Sequence, residues 1–343
     1  MEYVVGQDLT SLHTMGCRSQ AEKFVSIKDV HQLQEVLQDA RQNGLPLTVL
    51  GGGSNVLFKE VVHGIVIRMA NQGIEMLEDG CYSGECAAGC SFVRVQAGEN
   101  WHRFVEWTLE KRLGGLENLS LIPGTVGAAP IQNIGAYGVE VKDSIAEVVA
   151  LEVSTGETLK FSADDCEFSY RDSVFKRHPG NWIITEVVFR LSSKAPLRLE
   201  YAELNRVWME AGEPSSYQAV GKLVESIRRN KLPDPDHIPN SGSFFKNPTV
   251  DEALYQKILS RYPDLVAFPN GVNHWKLAAG WLIQQCGWKG FLKNGVGVYE
   301  KQALVIVNPG QRTAEEVKAL ASRIQQSVLD KFDVCLEIEP IIL

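Results

Sequence analysis

The sequence predicts an α+β protein. Three observations carry that expectation. Helical and β-strand hydrophobic periods both occur, yet they mix along the chain rather than alternating strictly, as a doubly wound sheet would require. Strand-like segments dominate from 146 to 191. The chain has 343 residues, more than one typical core organises, so several domains are expected.

The elements follow in order. Phe24 to Ile27 reads as a short strand. Val30, Leu33, Val36, Leu37 and Ala40 recur at helical spacing, and Gly44 suits the end of that helix. Leu47 to Leu50 is a second strand running straight into Gly51-Gly52-Gly53-Ser54-Asn55, and Gly64 to Ile67 a third. Together they form a βαβ unit with a glycine loop at a strand's C-terminal end. A helix is expected from Trp101 to Leu113, closed by Gly114-Gly115. Residues 192–196 resemble a linker, and 217–229 form a helix. The prolines of Leu232-Pro233-Asp234-Pro235-Asp236 break both helix and ladder. A helix from Lys276 to Cys286 precedes strands around 296 to 307. Thr313 and Glu316 make a capping-box pattern, with Val317, Leu320, Ala321, Ile324 and Val328 on the buried face. Val334 to Glu339 alternates as a last strand, with Glu337 and Glu339 on one face.

Composition excludes several classes. A net charge of −8 is a poor match to nucleic acid, although cations gathered in one pocket still bind an anionic ligand. Seven cysteines at irregular spacing do not make a disulfide framework. Cys81, Cys86 and Cys90 lie close together but match neither common iron–sulfur nor zinc spacing, so no metal is expected. The N-terminus lacks the pattern of a signal peptide, and no apolar run is long enough to span a bilayer. A cytoplasmic protein without a membrane partner is expected.

Four segments carry chemistry. The loop from Gly51 to Asn55 lets consecutive backbone N–H groups converge on a phosphate, with Ser54 and Asn55 adding donors; the alternative is a plain tight turn. Val56 stands where a Rossmann fingerprint needs glycine, which disfavours a nicotinamide-only dehydrogenase. The long strip Ile122-Pro123-Gly124 to Pro130, continuing through Ile131 to Gly138, is too apolar to be disordered and suits a planar ring system. Arg171, among Phe168, Tyr170 and Phe175, is either half of a surface pair with Asp172 or a partly desolvated cation needing a partner. Ser243, between Gly242 and Phe244, lacks a hydrolase elbow; by itself it reads as a turn serine.

Taken in order, these segments resemble the UDP-N-acetylenolpyruvoylglucosamine reductase family, in its longer subtype. The similarity covers nearly the whole chain. It rests on Gly51 to Leu57, Ile122 to Gly138, Tyr170 to Lys176, Gly242 to Pro248, Lys276 to Ile283 and Gln302 to Val305. Each segment alone is weak, and all six in order are specific. The resemblance implies an FAD-binding fold of the vanillyl-alcohol-oxidase type in two subdomains, 1–72 and 73–198. A C-terminal α+β substrate domain, 199–343, would follow. It implies NADPH as hydride donor, FAD as relay and UDP-N-acetylglucosamine enolpyruvate as a small-molecule substrate; a monomer is expected.

The resemblance also assigns residues. Arg171, Ser243 and Glu339 match the catalytic positions. Gly51, Gly52, Gly53, Ser54 and Asn55 would hold the FAD pyrophosphate, and Ile122, Pro123, Gly124, Ala128, Ile131 and Gly135 the isoalloxazine region. Tyr137, Tyr201, Lys231, Asn247, Lys276 and Gln302 would bind substrate. Lys246 also lies in a segment expected around that pocket.

The chain departs from the family pattern in places. His13-Thr14-Met15 replaces a segment usually reading Asn-Thr-Phe. Ala128 and Ala129 stand where serines are frequent, and Ile341 replaces an arginine. Glu337 is therefore a rival to Glu339. Two other readings remain: a flavin oxidase of an alcohol or sugar, separated by oxygen reactivity, and a non-catalytic UDP-sugar-binding protein, separated by the absence of flavin colour.

Overall fold

The computed structural model describes residues 2–77 and 89–343, so Cys81 and Cys86 lie outside the described residues. The chain forms two compact units. The first comprises Met1–Gln7, Ala21–Gly52 and His63–Asn230; the second comprises Asp8–Gln20, Gly53–Val62 and Lys231–Leu343.

In the first unit a four-stranded sheet runs in the order Val4–Asp8, Gln20–Ile27, Val61–Met69, Leu47–Leu50. The helix Val30–Asn43 buries the predicted stripe of Leu33, Val36, Leu37 and Ala40. Asp29 caps its start by accepting the Gln32 N–H, a contact worth about 1 kcal/mol. Gly44 ends it at φ 62°, a left-handed conformation that costs glycine little. Leu47–Leu50 pairs in parallel with Val61–Met69. The fully buried Ile65 and Ile67 each add about 1.5–3 kcal/mol of burial there.

A five-stranded antiparallel sheet follows, ordered Thr158–Ser162, Ile145–Glu152, Trp182–Ser192, Cys90–Gln96, Ile74–Met76. The helix Trp101–Glu110 sets Phe104 against Phe189 of this sheet, with ring centroids 4.8 Å apart. That helix ends before Leu113, where the sequence pattern placed its end. Arg112 takes φ 58° and the Leu113 N–H turns back to the Thr108 carbonyl, so chain reversal precedes Gly114. The helix Ala202–Glu210 lacked a legible stripe, since Leu204 is its one buried residue. The helix Tyr217–Lys231 packs Val220, Val224 and Ile227 with Leu204 as a satellite core.

The second unit has an antiparallel sheet ordered Asn240–Ser243, Val305–Val307, Val296–Val298, Leu292–Lys293. A three-stranded sheet places His274–Leu277 between Thr249–Asp251 and Ala267–Pro269. Lys276 therefore lies on a strand, and the helix begins later, as Ala279–Gln285. The helix Ala314–Phe332 carries the expected capping box and buried face. Beyond it, 334–339 is extended with Val334 and Leu336 buried, but one isolated bridge, Phe245 to Ile338, replaces the expected strand. The pairing strand comes afterwards: Ile341–Ile342 runs parallel to Val56–Leu57. Among the described residues no helix is long and apolar enough to cross a membrane.

Candidate active site

In the first unit, two glycine-containing turns meet backbone to backbone. A Cβ on Gly52 would stand 2.7 Å from the Gly124 Cα, and one on Gly51 would stand 2.6 Å from the Thr125 Oγ1. Side chains at either position would force the turns apart. The glycine loop and the proline-rich strip, distant in sequence, thus form one continuous surface. Gly53 is demanded by a different neighbour, because its Cβ would approach the Leu12 carbonyl at 2.2 Å. In the second unit the Thr14 N–H donates to the Gly53 carbonyl at 3.0 Å.

The strip from Ile122 to Gly138 is held by hydrogen bonds to the segments around it. The Trp101 N–H donates to the Gly124 carbonyl at 3.1 Å, and the Val126 N–H to that of Glu99 at 2.9 Å. Ala128 closes a short 3-10 turn, Val126–Ala128. The Ser173 hydroxyl donates to the Ile131 carbonyl at 2.6 Å. Asn133, fully buried, donates from Nδ2 to Glu140 at 2.9 Å and to the Ser169 carbonyl at 3.0 Å. Leu121, Asn133, Tyr137 and Arg171 all have positive φ. Non-glycine residues in that region cost roughly 1–2 kcal/mol each. Such strain gathers at functional sites.

Arg171 is held by two backbone carbonyls. Its Nη2 donates to the Gly135 carbonyl at 2.7 Å and its Nη1 to that of Asn133 at 3.4 Å. Its guanidinium also lies 5.3 Å from the Tyr170 ring centroid. Asp172 pairs with Arg177 at 2.6 Å.

Tyr137 and Tyr201 meet edge to face, with ring centroids 5.3 Å apart. The Asn118 Nδ2 holds the Tyr137 carbonyl at 2.9 Å. Burial pushes the Tyr137 phenol up to about 12, against the opposing pull of Arg228, which hydrogen-bonds it. Desolvation in turn pulls the Arg228 guanidinium below the usual arginine range. Its Nε is buried and has no hydrogen-bond partner. Sequence reasoning missed Arg228. The signal was present: Val220, Val224 and Arg228 fall four apart, so a cation sits on the helix's apolar stripe.

In the second unit, Ser243 ends the strand Asn240–Ser243 and is exposed, while Phe244 and Phe245 enter the core. The turn-serine reading explained the phenylalanines. It did not foresee the neighbour: the Glu339 N–H donates to the Phe244 carbonyl at 2.9 Å. Two residues earlier, the Lys246 N–H donates to the Glu337 carbonyl at 2.9 Å, and the Glu337 carboxylate forms an ion pair with the Lys246 Nζ. Asn55 joins the same segment. Its Nδ2 donates to the Glu339 carbonyl at 3.4 Å, and its own carbonyl accepts the Ile341 N–H at 3.0 Å.

Asn247 and Gln302 converge on the first turn of Ala279–Gln285. The Asn247 Oδ1 accepts the Ala279 N–H at 3.0 Å, and the Gln302 Oε1 lies 2.9 Å from where a Gly280 Cβ would be. Lys276 pairs with Thr249 in the adjacent sheet, and Lys231 closes the helix Tyr217–Lys231. Ser54 accepts from the Thr14 hydroxyl at 3.4 Å through its carbonyl.

Comparison with known proteins adds the following. Residues 234–343 match the family described as UDP-N-acetylenolpyruvoylglucosamine reductase, C-terminal domain, and residues 21–162 match an FAD binding domain. The chain is 48% identical over 343 residues to a UDP-N-acetylenolpyruvoylglucosamine reductase of Bdellovibrio bacteriovorus, covering 99% of each. It is 46% identical over 333 residues to that of Pseudomonas putida, covering 97% of this chain and 96% of the relative. The crystal structure of the Thermus caldophilus reductase superposes with a TM-score of 0.66 at 24% identity, covering 99% of this chain and 98% of that one. A VAO-type flavoprotein of Myceliophthora thermophila superposes at 0.50 with 11% identity, covering 96% and 73%. At these identities the solved structures establish the fold: an FAD-binding fold of the vanillyl-alcohol-oxidase type joined to a C-terminal α+β domain.

Proposed function

Because the chain belongs to the UDP-N-acetylenolpyruvoylglucosamine reductase family, we propose that it reduces UDP-N-acetylglucosamine enolpyruvate to UDP-N-acetylmuramate, with NADPH as hydride donor, for peptidoglycan precursor synthesis. It acts as a cytoplasmic monomer. Residues 1–72 and 73–198 hold the cofactor, and 199–343 the substrate.

The chain's residues fit FAD. The Gly51–Gly52 turn packs so closely on Gly124–Thr125 that neither glycine can carry a side chain, as a backbone cradle requires. FAD, when bound, would supply the relay of one hydride from nicotinamide to substrate. Gly51, Gly52, Gly53, Ser54 and Asn55 hold its pyrophosphate by backbone and side-chain donors. Ile122, Pro123, Gly124, Ala128, Ile131 and Gly135 would line its ring system. Where the family often has serine, Ala128 leaves that contact to backbone groups.

The other residues serve the substrate. Hydride addition to an enolpyruvyl group pushes negative charge onto the adjacent carbon and its carboxylate. Arg171, a permanently charged fork already oriented by two carbonyls, stabilises that charge. The Ser243 hydroxyl then donates the proton, since such an enolate is basic enough to take one from a weak acid. Glu339 assists as the neighbouring acid. Tyr137, Tyr201, Lys231, Asn247, Lys276 and Gln302 bind the nucleotide sugar, and Arg228 joins them as an anion partner. The ion pair of the exposed Glu337 with Lys246 supports Glu339 over Glu337 in this role.

One observation carries the assignment: the Glu339 N–H to Phe244 carbonyl bond sets Glu339 level with the residue that follows Ser243. The test is anaerobic rapid mixing. NADPH bleaches the flavin, and UDP-N-acetylglucosamine enolpyruvate restores its colour. In Ser243→Ala the bleaching persists and the restoration is lost. Equal loss of both half-reactions removes Ser243 from the role. Failure of the wild type to regain colour removes the function.

A further inference from the structure

Two residues at the start of the helix Trp101–Glu110 hold the segment that leads into the cofactor strip. Trp101 does so twice: its backbone N–H donates to the Gly124 carbonyl at 3.1 Å, and its indole N–H to the Leu119 carbonyl at 2.9 Å. Between those two anchors, the His102 Nδ1 accepts the Leu121 N–H at 3.0 Å. Leu121 has φ 60°, a backbone conformation that a leucine does not adopt without compensation. It is followed directly by Ile122, Pro123 and Gly124.

A backbone N–H only donates, so Nδ1 carries a lone pair and the neutral ring bears its proton on Nε2. Nε2 lies 3.8 Å from Glu106 Oε1 on the same helix and 4.0 Å from Glu225 Oε1 on the helix Tyr217–Lys231. Arg229 Nη2 lies 3.9 Å from Glu225 Oε2. The trio His102, Glu106 and Glu225 has the composition of a metal site. The Leu121 bond argues against that use. A ligating histidine donates from its other ring nitrogen, and here that nitrogen accepts.

The geometry points to His102 as a positioning residue for the reaction: its ring, whose Nδ1 accepts the Leu121 N–H, holds the Leu121 turn so that Ile122–Gly124 presents a fixed backbone to the flavin. This rests on the assignment of Ile122–Gly124 to the isoalloxazine region.

Two variants separate this role from mere packing. His102→Asn places an oxygen close to where Nδ1 stands; His102→Gln places it near Nε2. In the holoenzyme, His102→Gln is expected to lower kcat about tenfold with KM within about twofold, and to alter the shape of the visible flavin band. His102→Asn stays within about twofold of wild type in both. If His102→Gln matches wild type, or His102→Asn is as impaired as His102→Gln, the positioning role is wrong while the proposed function stands. A wild type that holds no flavin overturns both.

Discussion

The Glu339 N–H donates to the Phe244 carbonyl at 2.9 Å, and this bond fixes the register of the last extended segment against the residue after Ser243. The neighbouring pair, Lys246 N–H to Glu337 carbonyl, leaves the Glu337 side chain 69% exposed and bound to Lys246. Glu339→Gln is therefore expected to slow substrate reduction by about 10²-fold. Glu337→Gln should stay within about twofold, and lose at most about 1 kcal/mol of stability, as for an exposed ion pair. Steady-state turnover and melting curves of the two variants decide. The reverse pattern would show that Glu337 is the acid.

Arg171 engages the Gly135 and Asn133 carbonyls with two different nitrogens. Lysine has the charge but no planar fork. Arg171→Lys should lose about 10²-fold in kcat, nearly as much as Arg171→Ala, while NADPH still bleaches the flavin at close to the wild-type rate. Substantial activity in the lysine variant would mean that charge alone suffices.

Gly52 faces Gly124 with no room for a methyl group, at 2.7 Å to its Cα. Gly52→Ala should cost about 1–3 kcal/mol by overpacking. Because the clash lies between the two turns assigned to the cofactor, the variant should also lose flavin on gel filtration. Retained flavin with a lowered melting temperature would confine Gly52 to a structural part.

His13 is 4% exposed, donates from Nε2 to the Cys17 carbonyl at 2.9 Å, and has a buried Nδ1 without a partner. Burial holds its pKa below the ordinary histidine value. The unfolded chain then takes up a proton that the folded chain resists. The associated stability is present above about pH 6.5 and is lost as pH falls below it. His13→Asn, the family's usual residue, should flatten the decline in melting temperature between about pH 7.5 and 5. Parallel curves for the two proteins would show that another group governs acid sensitivity.

How much was legible depended on the range of the interaction. The helix Ala314–Phe332 was readable because its cap spans three residues and its stripe repeats locally. The start of Ala279–Gln285 was not. Residues 274–277 can continue a helical pattern, and only pairing with Thr249–Asp251 makes them a strand. The alternation of 334–339 correctly marked Val334 and Leu336 as buried, yet a strand also needs a partner edge, which arrives only at Ile341.

The amino-acid order by itself determined the periodic helices, the glycine and proline turns and the ordered set of motifs, since these depend on neighbours within a few residues. Tertiary structure decided the pairings: Asp172 with Arg177, Glu337 with Lys246, and Arg228 with Tyr137. Hydrogen bonds and ion pairs act over a few ångströms of space, and chain separation carries no record of which distant groups come that close.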